Sequence, residues 1–337
     1  MRTSAFFETV AGRPSGDALE KVFQVVATVE DLLQSEMRSD VESVEACCRQ
    51  TLKGGGKRLR PALAVMAARA TGGEYDSEAM IRVAAALEMI HMATLVHDDV
   101  IDGSDTRRGL PTASAIYGNT AAILSGDVLL SKAMRLLAEN STLEIIQMVS
   151  QAVVEMAEGE VRELEMRGDF DLDEEDHFKI LEMKTAAFIE VCCRVGARMS
   201  AASEEAEEAI GLFGQRVGMA FQIADDLLDY RGDESKTGKP AASDFRDGQA
   251  TLPLILLRPM LTDEETEFAR TRFGDSVSSS DVDTICSWMD KHGVFERAAD
   301  RAQTFVDESV IALDLLPTSP DRELLSSVAH YIVERDA

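Results

Sequence analysis

The chain has 337 residues, 45% of them hydrophobic, with 61 acidic against 34 basic residues and a formal net charge of −27. That balance excludes nucleic acid as a bulk partner, because binding a polyphosphate needs a positive face. No run supplies the roughly 18 apolar residues expected of a bilayer span, and residues 1–20 lack an apolar signal core; with five cysteines, four of them in adjacent pairs (Cys47–Cys48, Cys192–Cys193), the chain reads as a cytoplasmic protein with reduced thiols.

Proline is scarce (8) and aromatics are 5%, while Ala/Leu/Glu/Met-rich stretches carry apolar residues at three- and four-residue spacing. This predicts helices at about 17–37, 39–51, 59–71, 77–103, 119–139, 142–168, 174–200, 203–231, 251–260, 263–273, 281–292, 294–315 and 320–335. Gly72–Gly73 and Gly232–Asp233 are stop signals. Thr262 with Glu265 predicts a capping box, and Ser319–Pro320 an N-cap followed by proline at the first helical position. Residues 103–118 and 232–250 read as irregular, and the length of the second marks a functional loop. The acidic stretch 168–176 reads as a solvated helix start, since its spacing does not match a calcium loop. No strand alternation or fixed repeat persists. The expectation is one all-α domain over residues 1–337.

Two segments share one pattern. Residues 96–102 read V-H-D-D-V-I-D and residues 223–229 read I-A-D-D-L-L-D. On a helix, Asp98 and Asp102 lie a turn apart on one face, as do Asp225 and Asp229. Like charges at that spacing cost helix stability, and the frames around them are apolar (Leu95, Val96, Val100; Phe221, Ile223, Leu227). Oxygen-only ligands without a nearby His/Cys pair point to Mg²⁺, which bridges carboxylates to phosphate oxygens and stabilises a diphosphate leaving group. His97, beside the first cluster, reads as a packed or hydrogen-bonded residue and not as a ligand.

Between Ala46 and Gly73 the acidic chain has no acid at all, yet it carries Arg49, Lys53, Lys57, Arg58, Arg60 and Arg69. The centre, K-G-G-G-K-R-L-R-P over 53–61, frees the backbone around an anion and places bases at a helix start. It is not a nucleotide P-loop, because Lys57 is followed by Arg58. Arg107-Arg108-Gly109 is a second small basic set. Two anion sites of different kinds, one metal-mediated and one basic, imply two phosphorylated substrates. Lys184, Thr185 and Gln222 are polar positions suited to the same cavity.

These segments resemble the trans-isoprenyl diphosphate synthases (polyprenyl synthetases). The resemblance runs from about residue 50 to 255 through GGGKRLRP, HMATLVHDDVID, RRGLPT, GDVLLSKA, KTAAFIE, GMAFQIADDLLDY and GKPAASDFRDGQATLPLI. It implies a helical bundle around a deep central cavity, usually as a homodimer, with three Mg²⁺ ions when the allylic diphosphate is bound. Asp98, Asp102 and Asp225 are then the principal metal ligands, with Asp99, Asp226 and Asp229 in support. Lys57, Arg60, His91 and Arg108 are implied to hold isopentenyl diphosphate. Arg107, Lys184, Thr185, Gln222 and Lys239 are implied to hold the allylic diphosphate, farnesyl or geranylgeranyl. Two positions depart from the family pattern: Ala242 stands where Gly is common, and Gln249 where a second Lys is common.

The implied reaction draws the diphosphate from the allylic substrate, joins the cation head to tail to the isopentenyl double bond, and removes a proton. Asp98, Asp102, Asp225, Lys184 and Lys239 are its catalytic set. The growing tail is expected along the helix before Asp98, past Thr94, Ala93, Ile90, Met89 and Ala86. In this family a bulky residue five before the first Asp closes the pocket at farnesyl length, and Ala93 leaves it open. A hexaprenyl-to-decaprenyl product for quinone side chains is expected, with geranylgeranyl diphosphate as the shorter alternative. A terpene cyclase would not need the basic island. A non-catalytic partner subunit would tend to lose the Asp motifs, and all six Asp are present.

Overall fold

The computed structural model describes residues 16–231, 241–275 and 277–334. Their helices are α1 (Gly16–Glu36), α2 (Glu42–Lys53), α3 (Leu59–Ala70), α4 (Ser77–Ile101), α5 (Ala113–Tyr117), α6 (Asn119–Asn140), α7 (Leu143–Met166) and α8 (Glu174–Leu181). There follow α9 (Ala187–Met199), α10 (Glu204–Arg231), α11 (Ser243–Arg246), α12 (Leu252–Leu257), α13 (Asp263–Arg270), α14 (Ser279–Lys291), α15 (Val294–Ala312) and α16 (Pro320–Glu334). The all-α expectation holds, and the end signals act as read. Thr262 and Glu265 form a reciprocal capping box on α13, and Ser319 Oγ accepts from Arg322 N at the start of α16. Asp173 caps α8 by accepting from Asp176 N, so the acidic stretch 168–176 is a helix start. The stop expected at Gly232–Asp233 lies outside the described residues.

Three local features differ from the sequence reading. The helix expected over 174–200 contains a π-turn at Glu182–Ala186, a single wide turn that a periodicity count cannot register. The segment 103–118 is partly regular: Thr106–Arg107 (β1) pairs antiparallel with Leu110–Pro111 (β2), and α5 follows. Arg108 and Gly109 both have positive φ (52° and 76°), the signature of a two-residue primed turn. Gly109 accepts that conformation without strain, and Arg108 does not. Finally, α4 is long and apolar enough by length and composition to cross a membrane, against the expectation that no segment is. Two-thirds of its apolar window (67%) is buried inside the protein, which is the environment of a core helix.

The chain divides into two compact units. Of the described residues, one unit comprises those up to 150 with 191–211 and 313–327; the other comprises those within 151–190, 212–312 and 328–334. In the first, the stretch of α3 from Pro61 to Ala68 is apolar on every side and buried throughout, as an all-round hydrophobic segment must be. Helix α4 packs along α6 and also against α1 and α3. In the second, Phe245 and Phe170 each meet the Phe273 ring edge-on at 5.5 Å, amid Leu252, Leu254, Leu257 and Phe295. All five cysteines are free thiols. Burial pushes Cys48 up to about 11 and Cys192 up to about 12, which leaves both unreactive at neutral pH.

Candidate active site

Asp76 starts α4 by accepting from Glu78 N (2.9 Å) and Ala79 N (3.2 Å), and the helix delivers the first Asp motif at its other end. Asp102 N donates to Asp98 O at 2.8 Å, so the two carboxylates keep their helical spacing to the last turn. Asp98 is half-buried and Asp102 exposed. Asp99 points the other way. It is buried and accepts from Arg107 Nε at 2.7 Å, so Arg107, assigned to the allylic diphosphate by the resemblance, here ties the β1–β2 turn to the Asp helix. His97 is packed as expected: its Nε2 lies 3.2 Å from Ile123 O and 3.6 Å from Asp127. A Cβ on Gly126 would fall 2.3 Å from that nitrogen, so only glycine lets α6 approach the imidazole.

Two turns before Asp98, His91 lies in the field of four arginines. Burial, then Arg60, Arg108, Arg107 and Arg58, hold its imidazole well below the ordinary 6.5, so it is neutral at pH 7. Guanidinium groups about a neutral imidazole are donors of the kind a phosphate group accepts from. Lys57 and Arg60, at the end of the glycine-rich turn and the start of α3, are both half-buried. Arg108 donates to the carbonyls of Gly54 (3.4 Å) and Gly55, closing the glycine-rich turn onto the hairpin. Arg108 is thereby joined to the turn that leads into Lys57 and Arg60. The unfolded chain takes up a proton on His91 below about pH 6.5, whereas the folded chain does not. Stability should thus fall with pH below that value, by at most about 1.4 kcal/mol per pH unit from this group. Chemical denaturation at pH 7.5 and 5.5 checks this, and His91→Gln should flatten the acid limb.

The second Asp motif lies on α10, in the other unit. Asp225 is exposed and Asp229 half-buried. Asp226, the counterpart of Asp99, is buried and sits 3.1 Å from His177 Nε2. Asp229 accepts from Ser243 Oγ and from Asp244 N (3.0 Å), and its carbonyl accepts from Ala242 N (2.8 Å). Ala242 takes φ 54°, the conformation that explains a preference for Gly there; alanine costs about 1 kcal/mol. Lys184 and Thr185 occupy the π-turn. Burial alone would depress the Lys184 ammonium, but Glu163 and Glu160 (2.9 Å) outweigh it and raise it above the lysine norm. Gln249 Nε2 lies 3.4 Å from Glu163, so the position that departs from the family joins the same cluster. Gln222 is half-buried on α10, one turn before the motif. Lys239 lies outside the described residues.

Sequence reading missed Glu30, Glu88, Glu160, Glu163 and His177. Glu88 had a signal, being an acid in the apolar middle of α4; the others did not stand out in so acidic a chain. Among the described residues, no group of three or more His, Cys, Asp or Glu side chains is gathered to hold an ion. The donor chemistry nonetheless fits a hard cation. Asp98, Asp102 and Asp225 supply oxygen at accessible positions, while the middle Asp of each motif is turned inward onto a base.

The polyprenyl synthetase family profile matches residues 41–289. The chain belongs to the polyprenyl synthetase family. Octaprenyl diphosphate synthase of Escherichia coli (strain K12) is 36% identical over 317 residues, covering 94% of this chain and 98% of that protein. Heptaprenyl diphosphate synthase component 2 of Geobacillus stearothermophilus is 36% identical over 311 residues, with 92% and 96% covered. Among solved structures, polyprenyl synthase from Caulobacter crescentus CB15, complexed with calcium and isoprenyl diphosphate, superposes with a TM-score of 0.90 at 34% identity, over 96% of this chain and 98% of that one. The synthase described here is accordingly a trans-prenyltransferase with the all-α isoprenoid synthase fold.

Proposed function

We propose that this polyprenyl synthetase condenses isopentenyl diphosphate head to tail with an allylic diphosphate, farnesyl or geranylgeranyl, to give a hexaprenyl-to-decaprenyl product for quinone side chains. The observation that carries the reading is the set of arginines acting on a neutral His91. It stands in an acidic chain that also bears two Asp motifs, each with its middle Asp turned inward. Lys57, Arg60, His91 and Arg108 bind the isopentenyl diphosphate and hold its double bond in place. Asp98, Asp102 and Asp225 hold Mg²⁺, three ions in all, with Asp99, Asp226 and Asp229 fixing the helices that carry them. Mg²⁺ held there would supply the positive charge that stabilises the departing diphosphate. Lys184, Thr185, Gln222, Lys239 and Arg107 orient that diphosphate, and no side-chain nucleophile is required.

The protein works in the cytoplasm as a homodimer. Exposed Ile116, Tyr117, Ile123 and Leu124, close together at α5 and the start of α6, support a partner-facing surface. A second reading, as the elongating component of a two-part synthase, is favoured by the similarity to a heptaprenyl synthase component. One assay tests both: the purified chain with Mg²⁺, labelled isopentenyl diphosphate and farnesyl diphosphate, with product length read by chromatography. Elongation by the chain alone, abolished by EDTA, is expected. Failure to elongate without a second protein would favour the two-part reading, and EDTA-insensitive elongation would overturn the metal assignment.

A further inference from the structure

Arg58 differs from its neighbours in the basic island. Lys57 and Arg60 are half-buried, whereas the Arg58 side chain is 4% exposed and engaged in three charge-assisted bonds. Its Nη1 donates to Glu88 Oε1 at 2.8 Å, and Glu88 is equally buried at 4%. Its Nε and Nη2 fork onto Glu30 at 2.6 and 3.2 Å. The backbone of Arg58 sits at φ 50°, ψ 39°, in the left-handed region, directly before α3. A non-glycine residue persists there only when its surroundings over-determine the conformation. Two carboxylates beside a diphosphate site weaken its attraction for anions, so electrostatics alone would select against them. What they supply is geometry: a planar fork gripped from two helices cannot rotate.

We infer that Arg58 is a positioning residue for isopentenyl diphosphate. Clamped between Glu88 of α4 and Glu30 of α1, it locks the left-handed turn that sends Lys57 and Arg60 toward one anion. Helix α1 lies before the residues matched by the family profile, 41–289, so Glu30 gives that motif-free segment a part in substrate binding. The inference rests on the assignment of Lys57, Arg60 and His91 to isopentenyl diphosphate made above.

The test measures KM for each substrate separately on the full chain, beside thermal melts. Glu88→Gln and Arg58→Met should raise KM for isopentenyl diphosphate about tenfold or more while changing the allylic KM less than about twofold. Arg58→Lys keeps the charge without the fork and should not restore binding. Glu30→Gln, at a position 32% exposed and so tolerant of change, should give a rise of about threefold with the melt unchanged. The double variant Arg58→Met/Glu88→Gln leaves no buried unpaired charge; its melt should recover toward the parent while the isopentenyl KM stays high. Recovery of KM in the double variant, or no selective KM change in any single variant, would overturn the inference. Arg60→Gln separates the two levels. If it raises the isopentenyl KM and the Arg58 clamp variants do not, only the clamp fails. If Arg60→Gln leaves that KM unchanged, the underlying site assignment fails and the clamp with it.

Discussion

Asp98→Asn is expected to cut turnover roughly a thousandfold, the scale of removing one charge from a preorganised electrostatic site, with little change in thermal stability. Asp98 is half-buried in the last turn of α4, and the amide is nearly isosteric with the carboxylate. The hydrogen bond from Asp102 N to Asp98 O is a backbone bond and survives the substitution. Removing one of two like charges a turn apart relieves helix repulsion, so the fold does not suffer. The affected property is the hold on the metal, and activity should shift to higher Mg²⁺ concentration. Initial rates of labelled isopentenyl diphosphate incorporation across a Mg²⁺ titration provide the readout. A variant within tenfold of the parent at low Mg²⁺ would remove Asp98 from the ligand set. Asp99→Asn serves as the contrast. Asp99 is 6% exposed and bonded to Arg107, so its substitution should lower the melting temperature as well as the rate.

Ala93→Phe should shorten the product toward farnesyl length. Ala93 lies five residues before Asp98, about 7.5 Å along the helix axis, on the face with Met89 and Ile90. Beside it, Thr94 engages its hydroxyl with His91 O at 2.8 Å. Ala93 is 2% exposed and Met89, Ile90 and Ala86 are 0% exposed, so these side chains sit within packed surroundings that a growing tail has to displace. A phenylalanine fills that space permanently, at an overpacking cost of about 1–3 kcal/mol. Chromatography of the dephosphorylated products gives the chain length, and a melt separates lost stability from altered length. An unchanged product would place the tail along another face.

Much of this was legible in the sequence because its causes are local. Helical spacing, the Thr262–Glu265 box, the Ser319 cap and the repeat of the Asp pattern each act within a turn or two of chain. The parts that were not legible depend on distant partners. Nothing near Glu30 announces that it meets Arg58, nor does the sequence around Glu160 and Glu163 announce Lys184. The inward turn of Asp99 and Asp226 follows from Arg107 and His177, residues that a spacing argument treats as independent. The π-turn at 182–186 is a change of helical pitch, to which side-chain identity is a weak guide. Ala242 is the mixed case: the departure from glycine was visible, and its meaning became clear only with the backbone angle.

Arg107 and Arg108 are consecutive, and the hairpin turn sends them to different tasks, one to Asp99 and the other to the carbonyls of the glycine-rich turn. Any ligand that draws Arg108 off those carbonyls also changes the restraint on Asp99, since one peptide bond joins them. Free-energy linkage makes such an influence reciprocal: whatever occupancy at the basic site does to metal affinity at Asp98, metal must do equally to affinity at the basic site. The strength of that coupling is then set by how firmly one short turn holds both arginines.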